Sequence, residues 1–361
     1  MSLRIGIIGG GIAGLSAAIS LRQHGHDIHV FERSSFDNEV GAAISLAPNA
    51  SRILRGWGME LDELEPSLCE RLSVSSHQEE HNFGDGDTGL ITLKDGRSEK
   101  FDLILGADGV HSGLVSGITG QPRREISSGQ NCYRFLVPTE KMASDPVGRE
   151  FLAKIGLTTL ASFGAKDRSL VIYPCRSGQL LNCAAIHSEA LSTPEGSSWD
   201  SRTTRAQLQA MFEDWSSDIR KLCSLAEDVR LWPLTTRDPP KQFNVGKLLL
   251  IGDAAHPTLP HQGQGGAQAI EDASALGVLF GRDVTPEQVE ERGKLFNDVR
   301  YAHSVTILFM SRKRFDKREE MMPELRKYVP DAQFPEDMFR FAWSSCPDKL
   351  AMQALSQIVA T

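Results

Sequence analysis

Long apolar runs are missing from this chain of 361 residues. No window approaches the roughly 18 apolar residues that cross a bilayer. The N-terminal MSLRIGIIGGG has neither the apolar core nor the small-residue cleavage site of a secretory signal. It runs straight into a strand-like segment, so a cytoplasmic protein with no membrane span is expected. Cysteine is sparse and scattered. Cys69, Cys132, Cys175, Cys183, Cys223 and Cys346 form no CxxC pair, and no histidine stands at zinc-ligand spacing from one. That argues against a metal site or a disulfide framework and for buried free thiols. Positive charge is not in excess either. A formal net charge of −8 argues against nucleic acid as a main partner, since phosphate binding needs clustered cations. Internal repeats and low-complexity tracts are absent. What is there, 40% hydrophobic and 24% charged residues, is the composition of a globular protein, with chain enough for about two domains.

Residues 3–8 (LRIGII) form a short apolar run. Glycines follow, then a helical pattern through Leu15, Ala18, Ile19 and Leu21 that Gly25 closes. Residues 27–32 (DIHVFE) read as a second strand, completing a β-α-β unit within about 30 residues. Residues 90–106 read as a hairpin, LITL and FDLILG joined by a turn at Asp95-Gly96. Strand-like segments dominate from about 120 to 235, notably 168–174 and 179–186, with a Ser/Thr/Pro-rich loop at 193–204 and a helix near 205–222. The strand 247–251 and a helix from about 264 return to the α/β style. Thr285-Pro286-Glu287-Gln288 has the form of a capping box with proline at the first helical position, which predicts a long helix running past Met310.

Gly9-x-Gly11-x-x-Gly14 lies between the first strand and the first helix, and Glu32 closes the second strand. In that setting the first glycine allows the tight turn and the second lets the backbone approach a pyrophosphate. The third lets helix and strand pack closely, and a carboxylate at Glu32 can accept both ribose hydroxyls. The pyrophosphate would sit at a helix N-terminus, where unpaired amides and the macrodipole favour an anion. A ligand-free glycine turn and a surface carboxylate are the alternative readings. Gly84-x-Gly86-x-x-Gly89 matches the same pattern but precedes a strand instead of opening a helix, so it reads as a loop.

Further on come Asp102-Leu-Ile-Leu-Gly-Ala-Asp108-Gly109-Val-His-Ser112, then Leu250-Ile-Gly252-Asp253-Ala-Ala-His256-Pro257, Gly263-Gln-Gly265-Gly266 and Glu271-Asp272. In this order the motifs resemble the class A flavoprotein monooxygenases of the para-hydroxybenzoate hydroxylase type. The nearest branch is the salicylate hydroxylase-like FAD-dependent monooxygenases common in fungi. Gly41-Ala-Ala43-Ile44…Pro48-Asn49, Tyr133-Arg134, Tyr173-Pro174…Asn182 and Trp232-Pro-Leu234 extend the resemblance over most of residues 3–312. It implies a mixed α/β fold. A Rossmann-like FAD-binding domain (1–115 and 236–310) is interleaved with a β-sheet substrate domain (116–235), and a C-terminal helical segment (311–361) follows. It implies FAD as cofactor, NAD(P)H as co-substrate, and hydroxylation of an aromatic or polyketide-like small molecule through a flavin hydroperoxide. The cofactor-binding residues it implies are Gly9, Gly11, Gly14, Glu32, Arg33, Ala43, Asp108, Asp253, Gly265 and Gly266, with no metal.

The resemblance also implies that Arg134 and Tyr173 are catalytic, projecting from the second domain's sheet onto a phenolic substrate. Free phenols have a pKa of about 10, and a guanidinium within a few ångströms favours the phenolate. An arginine paired with a carboxylate at the surface and an ordinary strand tyrosine are the alternatives. His256 and His261 flank the cofactor-side loop, as bases or as hydrogen-bonded structural histidines. Arg312-Lys-Arg314…Lys317-Arg318 is interrupted by Phe315 and Asp316 and reads as a solvated helix end.

The chain departs from the family at one place. Members carry a cofactor-contacting arginine in a His-Arg-x-x-Leu-like helix before the Asp108 motif. Here Ser73-Val-Ser-Ser76-His77-Gln78 runs into Phe83-Gly-Asp-Gly with no such segment. A deletion of several dozen residues is expected between about 70 and 88, with a weaker hold on FAD. A homologue with impaired FAD binding and no hydroxylase activity, or a flavin-dependent oxidation without oxygen insertion, are the alternatives this leaves.

Overall fold

Local chain pattern sorts the strands into three sheets in the computed structural model. It describes residues 2–33, 43–44, 46–61, 83–85, 89–92, 97–122, 124–165, 167–192, 201–202, 204–313 and 315–359. The first sheet runs Asn244–Val245, Leu248–Leu250, Leu103–Gly106, Arg4–Ile8, Asp27–Phe31 in spatial order. The last four strands are parallel and Asn244–Val245 is antiparallel. Leu103–Gly106 and Leu248–Leu250 are buried at every position, as expected of parallel strands covered on both faces. Helix Ile12–Gln23 makes the crossover from Arg4–Ile8 to Asp27–Phe31, and Gly25 at φ +83° follows its end. Helices Gly265–Leu279 and Val289–Ser311 complete this core. The Thr285 capping box is present, the Thr285 amide donating to Gln288 Oε1 at 3.0 Å, and a short 3-10 turn leads into the long helix.

The second sheet is six-stranded and antiparallel, in the order Ser201–Arg202, Glu227–Thr236, Ile126–Pro138, Leu180–Ser188, Arg168–Cys175, Ala161–Gly164. Its two faces are buried against different partners. Phe135, Val137, Ile172, Leu181 and Cys183 pack with Met142, Phe151, Leu208 and Leu222 of its own helices. Cys132, Ala184, Ile186, Trp232 and Leu234 pack on Leu259, which follows the first sheet's last strand. The fold is thus mixed α/β, with a parallel Rossmann-like sheet, an antiparallel sheet and C-terminal helices such as Pro347–Val359.

Several local expectations are corrected. Leu90–Thr92 pairs with Ser98–Lys100 and with Phe83–Asp85, not with FDLILG. That apolar run enters the parallel sheet instead, where both its faces are covered. Phe83–Asp85 is therefore a strand and not part of a loop. Helices Thr139–Ser144 and Pro146–Ile155 interrupt the strand-rich region. Asp145 caps the second, accepting from the Val147 and Gly148 amides at 3.0 and 3.2 Å. The helix near 205–222 is two helices, Arg205–Met211 and Ser217–Ser224. The basic cluster is not simply solvated: Arg312 bonds Asp238 and the Arg237 carbonyl, and Arg318 is buried.

Cys132, Cys175, Cys183 and Cys223 are buried free thiols, and burial pushes Cys132 and Cys223 up to about 12. Cys69, Arg314 and residues 62–82, where most of the expected deletion falls, lie outside the described residues. Among the described residues no helix is long and apolar enough to cross a membrane.

Candidate active site

Parallel strands deliver their carboxyl ends to one edge, where open α/β sheets bind ligands. Along that edge, in sheet order, stand Asp253 after Leu248–Leu250, Asp108 after Leu103–Gly106, Gly9–Gly14 after Arg4–Ile8, and Glu32 after Asp27–Phe31. Three strand spacings of about 4.8 Å separate the first from the last, a span of about 14 Å.

The three glycines occupy different environments. Gly9 has φ +109°, and a Cβ there would lie 2.3 Å from the Ala107 carbonyl oxygen. A Cβ on Gly14 would lie 1.9 Å from the Gly9 carbonyl oxygen, so turn and helix could not close. At Gly11 no atom of the described residues lies within 4 Å of a Cβ, which leaves open space beside the backbone. Helix Ile12–Gln23 begins there with no capping side chain and no acid in its first turn. The positive end of its dipole therefore meets that space without an acid from its own first turn. Glu32, half-buried, accepts the Gly10 amide at 2.6 Å, and Arg33 follows at an exposed position.

Asp108 Oδ2 accepts the Gly113 amide at 3.1 Å, while Oδ1 is buried with no hydrogen-bond partner among the described residues. Burial pushes the Asp108 carboxyl up, against the opposing pull of Ser112, nearby amides and Arg237. Asp253 is raised by burial in the same way, opposed by His256 and Arg237. Sequence reasoning missed Arg237. It is 2% exposed and donates to the carbonyls of Asp253 at 2.9 Å and Ala254 at 2.5 Å. It stands where strand Glu227–Thr236 hands the chain back to the first sheet. A cation three residues after Trp232-Pro-Leu234 was the available signal.

Helix Gly265–Leu279 brings a second N-terminus without a side-chain cap. A Cβ on Gly265 would lie 3.0 Å from Thr258 Oγ1 and 3.8 Å from Asp253 Oδ1. A Cβ on Gly266 would lie 2.8 Å from the Ile44 side chain and 3.6 Å from that of Ile12. The starts of both helices, Asp253 and the stretch around Ala43-Ile44 therefore border one crevice, with the exposed Ile12 and Ile44 on its rim.

The second sheet turns Tyr173 to the Ala43 stretch and Arg134 to the face that packs on Leu259. Arg134 is buried and shares its face with Cys132 and Trp232; its guanidinium carbon is 5.7 Å from the Trp232 ring centre. Tyr173 is also buried, and its hydroxyl donates to the Ala43 carbonyl at 3.3 Å. Register places Arg134 opposite Ala184 and Tyr173 opposite Asn182, two strands apart. Strand geometry then puts their Cα atoms about 12 Å apart. Tyr133 faces the other way, stacked on His187 at 5.0 Å.

His256 is built into a buried network, its Nε2 2.8 Å from Asp272 Oδ2. Arg300 Nε donates to Asp272 Oδ1 at 2.8 Å, and its terminal nitrogens donate to Glu271 Oε2 at 2.6 Å and Gln268 Oε1 at 2.7 Å. The Asn49 amide donates to Glu271 Oε1 at 2.7 Å. Burial alone would raise Asp272, but His256 and Arg300 more than offset it and hold the carboxyl at about 2. Burial, helped by Arg300, pushes the neighbouring His303 down to about 3. The network fastens helix Gly265–Leu279 to Val289–Ser311 and Pro48–Gly56, and so fixes where its N-terminus points. His261 instead meets Gln130 of the second sheet at 2.7 Å.

An elongated anion with polar groups along its length suits such a crevice, and known proteins agree. Residues 73–292 match the FAD binding domain family, and residues 7–44 match the NAD(P)-binding Rossmann-like domain family. The chain is 31% identical to the FAD-dependent monooxygenase cfoG of Aspergillus candidus, over 92% of this chain and 90% of that protein. It is 30% identical to the 3-amino-4-hydroxybenzoate 2-monooxygenase PtnB3 of Streptomyces platensis, over 78% and 81%. A salicylate hydroxylase solved as a substrate complex shares the fold, with a TM-score of 0.72 at 19% identity and 98% of each chain covered.

Proposed function

The chain belongs to the FAD-dependent monooxygenases related to salicylate hydroxylase, and on that premise we propose that it hydroxylates a phenolic small molecule. The overall reaction consumes NAD(P)H, a proton and O2, places one oxygen atom on the ring, and releases NAD(P)+ and water. We read residues 1–115 and 236–310 as the cofactor unit and 116–235 as the substrate unit.

The residues present fit FAD. The open space at Gly11, two helix N-termini without side-chain caps and the unpartnered oxygen of Asp108 are features a dinucleotide would complete. In this reading the amides at Gly11–Gly14 hold the pyrophosphate, and Gly9 and Gly14 shape the turn. Glu32 takes the ribose hydroxyls, and Asp108 and Asp253 take hydroxyls further along. The Gly265 and Gly266 amides face the flavin's pyrimidine edge, Ala43 borders the ring, and Arg33 lies beside the nucleotide end. Bound there, FAD supplies the electron and oxygen transfer that side chains cannot.

The substrate wall does the rest. An Arg134 guanidinium within about 4–6 Å lowers a phenol's pKa by about 1–3 units from about 10. At neutral pH that raises the phenolate from about 0.1% to between about 1% and 50%. The phenolate ring carbon is the nucleophile the reaction needs. Tyr173, held by the Ala43 carbonyl, orients the ring, and the Cys132, Ala184 and Trp232 surface keeps water out.

Two contacts with one stretch of chain carry this reading: the Tyr173–Ala43 hydrogen bond and the Gly266–Ile44 approach set the second sheet and the crevice against it. The match to cfoG extends over 390 aligned positions, more than the 361 residues of this chain. That supports a shortfall, which we place between about 70 and 88 and from which a weaker hold on FAD would follow. The test is direct. Purified protein titrated with FAD should gain flavin absorption, and phenols should then stimulate NAD(P)H oxidation with labelled oxygen entering the product. No flavin uptake would sink the proposal. NAD(P)H consumption without oxygen insertion would favour the oxidation alternative, and an Arg134→Ala variant with full hydroxylation would remove the role given to Arg134.

A further inference from the structure

Asn182 has no place in the scheme so far, yet it lies in the middle of the substrate wall. It is 2% exposed, and its Nδ2 has no hydrogen-bond partner among the described residues. Its direction follows from the strand. Leu181, Cys183 and Ala185 face the sheet's own helical core, while Ala184 and Ile186 face Leu259 and the first sheet. Alternation puts Asn182 with Ala184, on the crevice side.

Register gives its neighbours. Asn182 is directly opposite Tyr173 on one flanking strand and Leu136 on the other, and Arg134 is opposite Ala184. On one sheet face that makes Asn182 and Tyr173 a direct pair about 5 Å apart at Cβ, and Asn182 and Arg134 a diagonal pair about 7–8 Å apart. Ala184, with only a methyl side chain, stands on the same face next to both. The Tyr173 hydroxyl is turned to Ala43 and does not serve the amide. A buried donor left unsatisfied costs about 1–3 kcal/mol, whereas an apolar residue of the same shape would cost almost nothing. The amide therefore makes sense where a bound molecule supplies the acceptor.

Two unlike donors share one face of the sheet: a cation suited to a phenolate oxygen and a neutral amide suited to a second oxygen. We propose that Asn182 is a specificity-determining residue that donates its side-chain N–H to a carbonyl or carboxylate oxygen of the substrate, selecting phenols that carry an acyl or carboxyl group over phenols that do not. This rests on the reading of the crevice as a phenol hydroxylase site.

The test compares two probes that differ by one acyl group, resorcinol and its monoacetyl ketone resacetophenone, on the FAD-loaded parent and on Asn182→Leu. Binding is read from the perturbation of the flavin absorption band, and stability from the thermal midpoint. The parent should prefer the ketone, and the leucine variant should lose about tenfold of that preference, the value of one hydrogen bond to a buried oxygen. Its thermal midpoint should hold or rise, because an unsatisfied donor has gone. A preference ratio unchanged in Asn182→Leu overturns the proposal, as does a lowered midpoint with the ratio intact, which would make the amide a structural group. If the FAD-loaded parent binds neither probe, the phenolic reading of the site fails and takes the proposal with it. If it binds both equally, the proposal alone fails.

Discussion

Placing a methyl group at Gly11 separates the cofactor reading from the fold. Gly11 has φ −77° and ψ −170°, a conformation alanine adopts freely, and among the described residues no atom lies within 4 Å of its Cβ position. As the residue preceding the helix, alanine costs up to about 1 kcal/mol relative to better caps. Reduced freedom of the unfolded chain returns about 0.4–1 kcal/mol. The apoprotein should therefore keep its stability within about 0.5 kcal/mol, a change of about 2 °C or less in the thermal midpoint. Cofactor binding should behave differently. The methyl occupies the space through which a pyrophosphate reaches the helix amides, and each charge-assisted hydrogen bond lost costs about 1.5–3 kcal/mol. Losing two weakens FAD binding by about two to four orders of magnitude. Gly14→Ala is the contrasting control. Its Cβ would sit 1.9 Å from the Gly9 carbonyl oxygen, so it should lose about 1–3 kcal/mol of apoprotein stability through overpacking. Flavin fluorescence titration of the apoprotein, with thermal melts of the same samples, reads both quantities. A folded Gly11→Ala protein that binds FAD within threefold of the parent would refute the cradle.

Other expectations follow from the buried charges. His303 titrates at about 3 in the folded chain and near 6.5 when unfolded, so its contribution is complete above pH 6.5 and is lost as pH falls toward 3. Urea titrations at pH 7 and 5 should show stability falling by up to about 1.4 kcal/mol per pH unit from this group, and a His303→Gln variant with the same slope would disprove its role. Arg300→Met strands Glu271 and Asp272 in the core and should cost about 3–5 kcal/mol in the same assay; adding Glu271→Gln and Asp272→Asn should recover part of it. Asp108→Asn removes a carboxyl that burial disfavours, so the apoprotein should be no less stable while FAD binding weakens by about tenfold. A destabilised apoprotein with unchanged FAD affinity would assign Asp108 to the fold alone.

What could be read from the sequence was whatever local spacing carries. The β-α-β unit, the Gly9–Gly14 turn and the strand-end positions of Asp108 and Asp253 depend on residues close together in the chain, and the structure has them on one sheet edge. Arg300 was missed because its partners Glu271 and Asp272 lie on the preceding helix, and helical periodicity shows no such pairing. Arg237 looked like one charge among many until the chain's return to the first sheet put it beside Asp253. The FDLILG run was misassigned because a buried apolar strand has the same pattern in a hairpin as in a parallel sheet. The helices at 139–155 were overlooked although Asp145-Pro146 is a local start signal, outweighed by the strand-forming residues on both sides.

The two buried polar systems differ in a way that separates stability from function. In the Arg300 network both carboxylates have partners within 3 Å: Arg300 pairs with Asp272 and Glu271, and His256 Nε2 lies 2.8 Å from Asp272 Oδ2. Breaking it should move the melting point first and the cofactor second, through the helix whose N-terminus it holds. In the crevice, Asp108 keeps one buried oxygen and Asn182 one buried amide without partners among the described residues. Each such group costs the apoprotein about 1–3 kcal/mol. Removing either should therefore spare or raise apoprotein stability while weakening a ligand. The two sites further divide by ligand: Asp108 should answer to FAD alone, and Asn182 to the aromatic substrate alone. If a variant at Asp108 changed probe preference without changing FAD affinity, the assignment of cofactor and substrate to opposite walls of the crevice would have to be reversed.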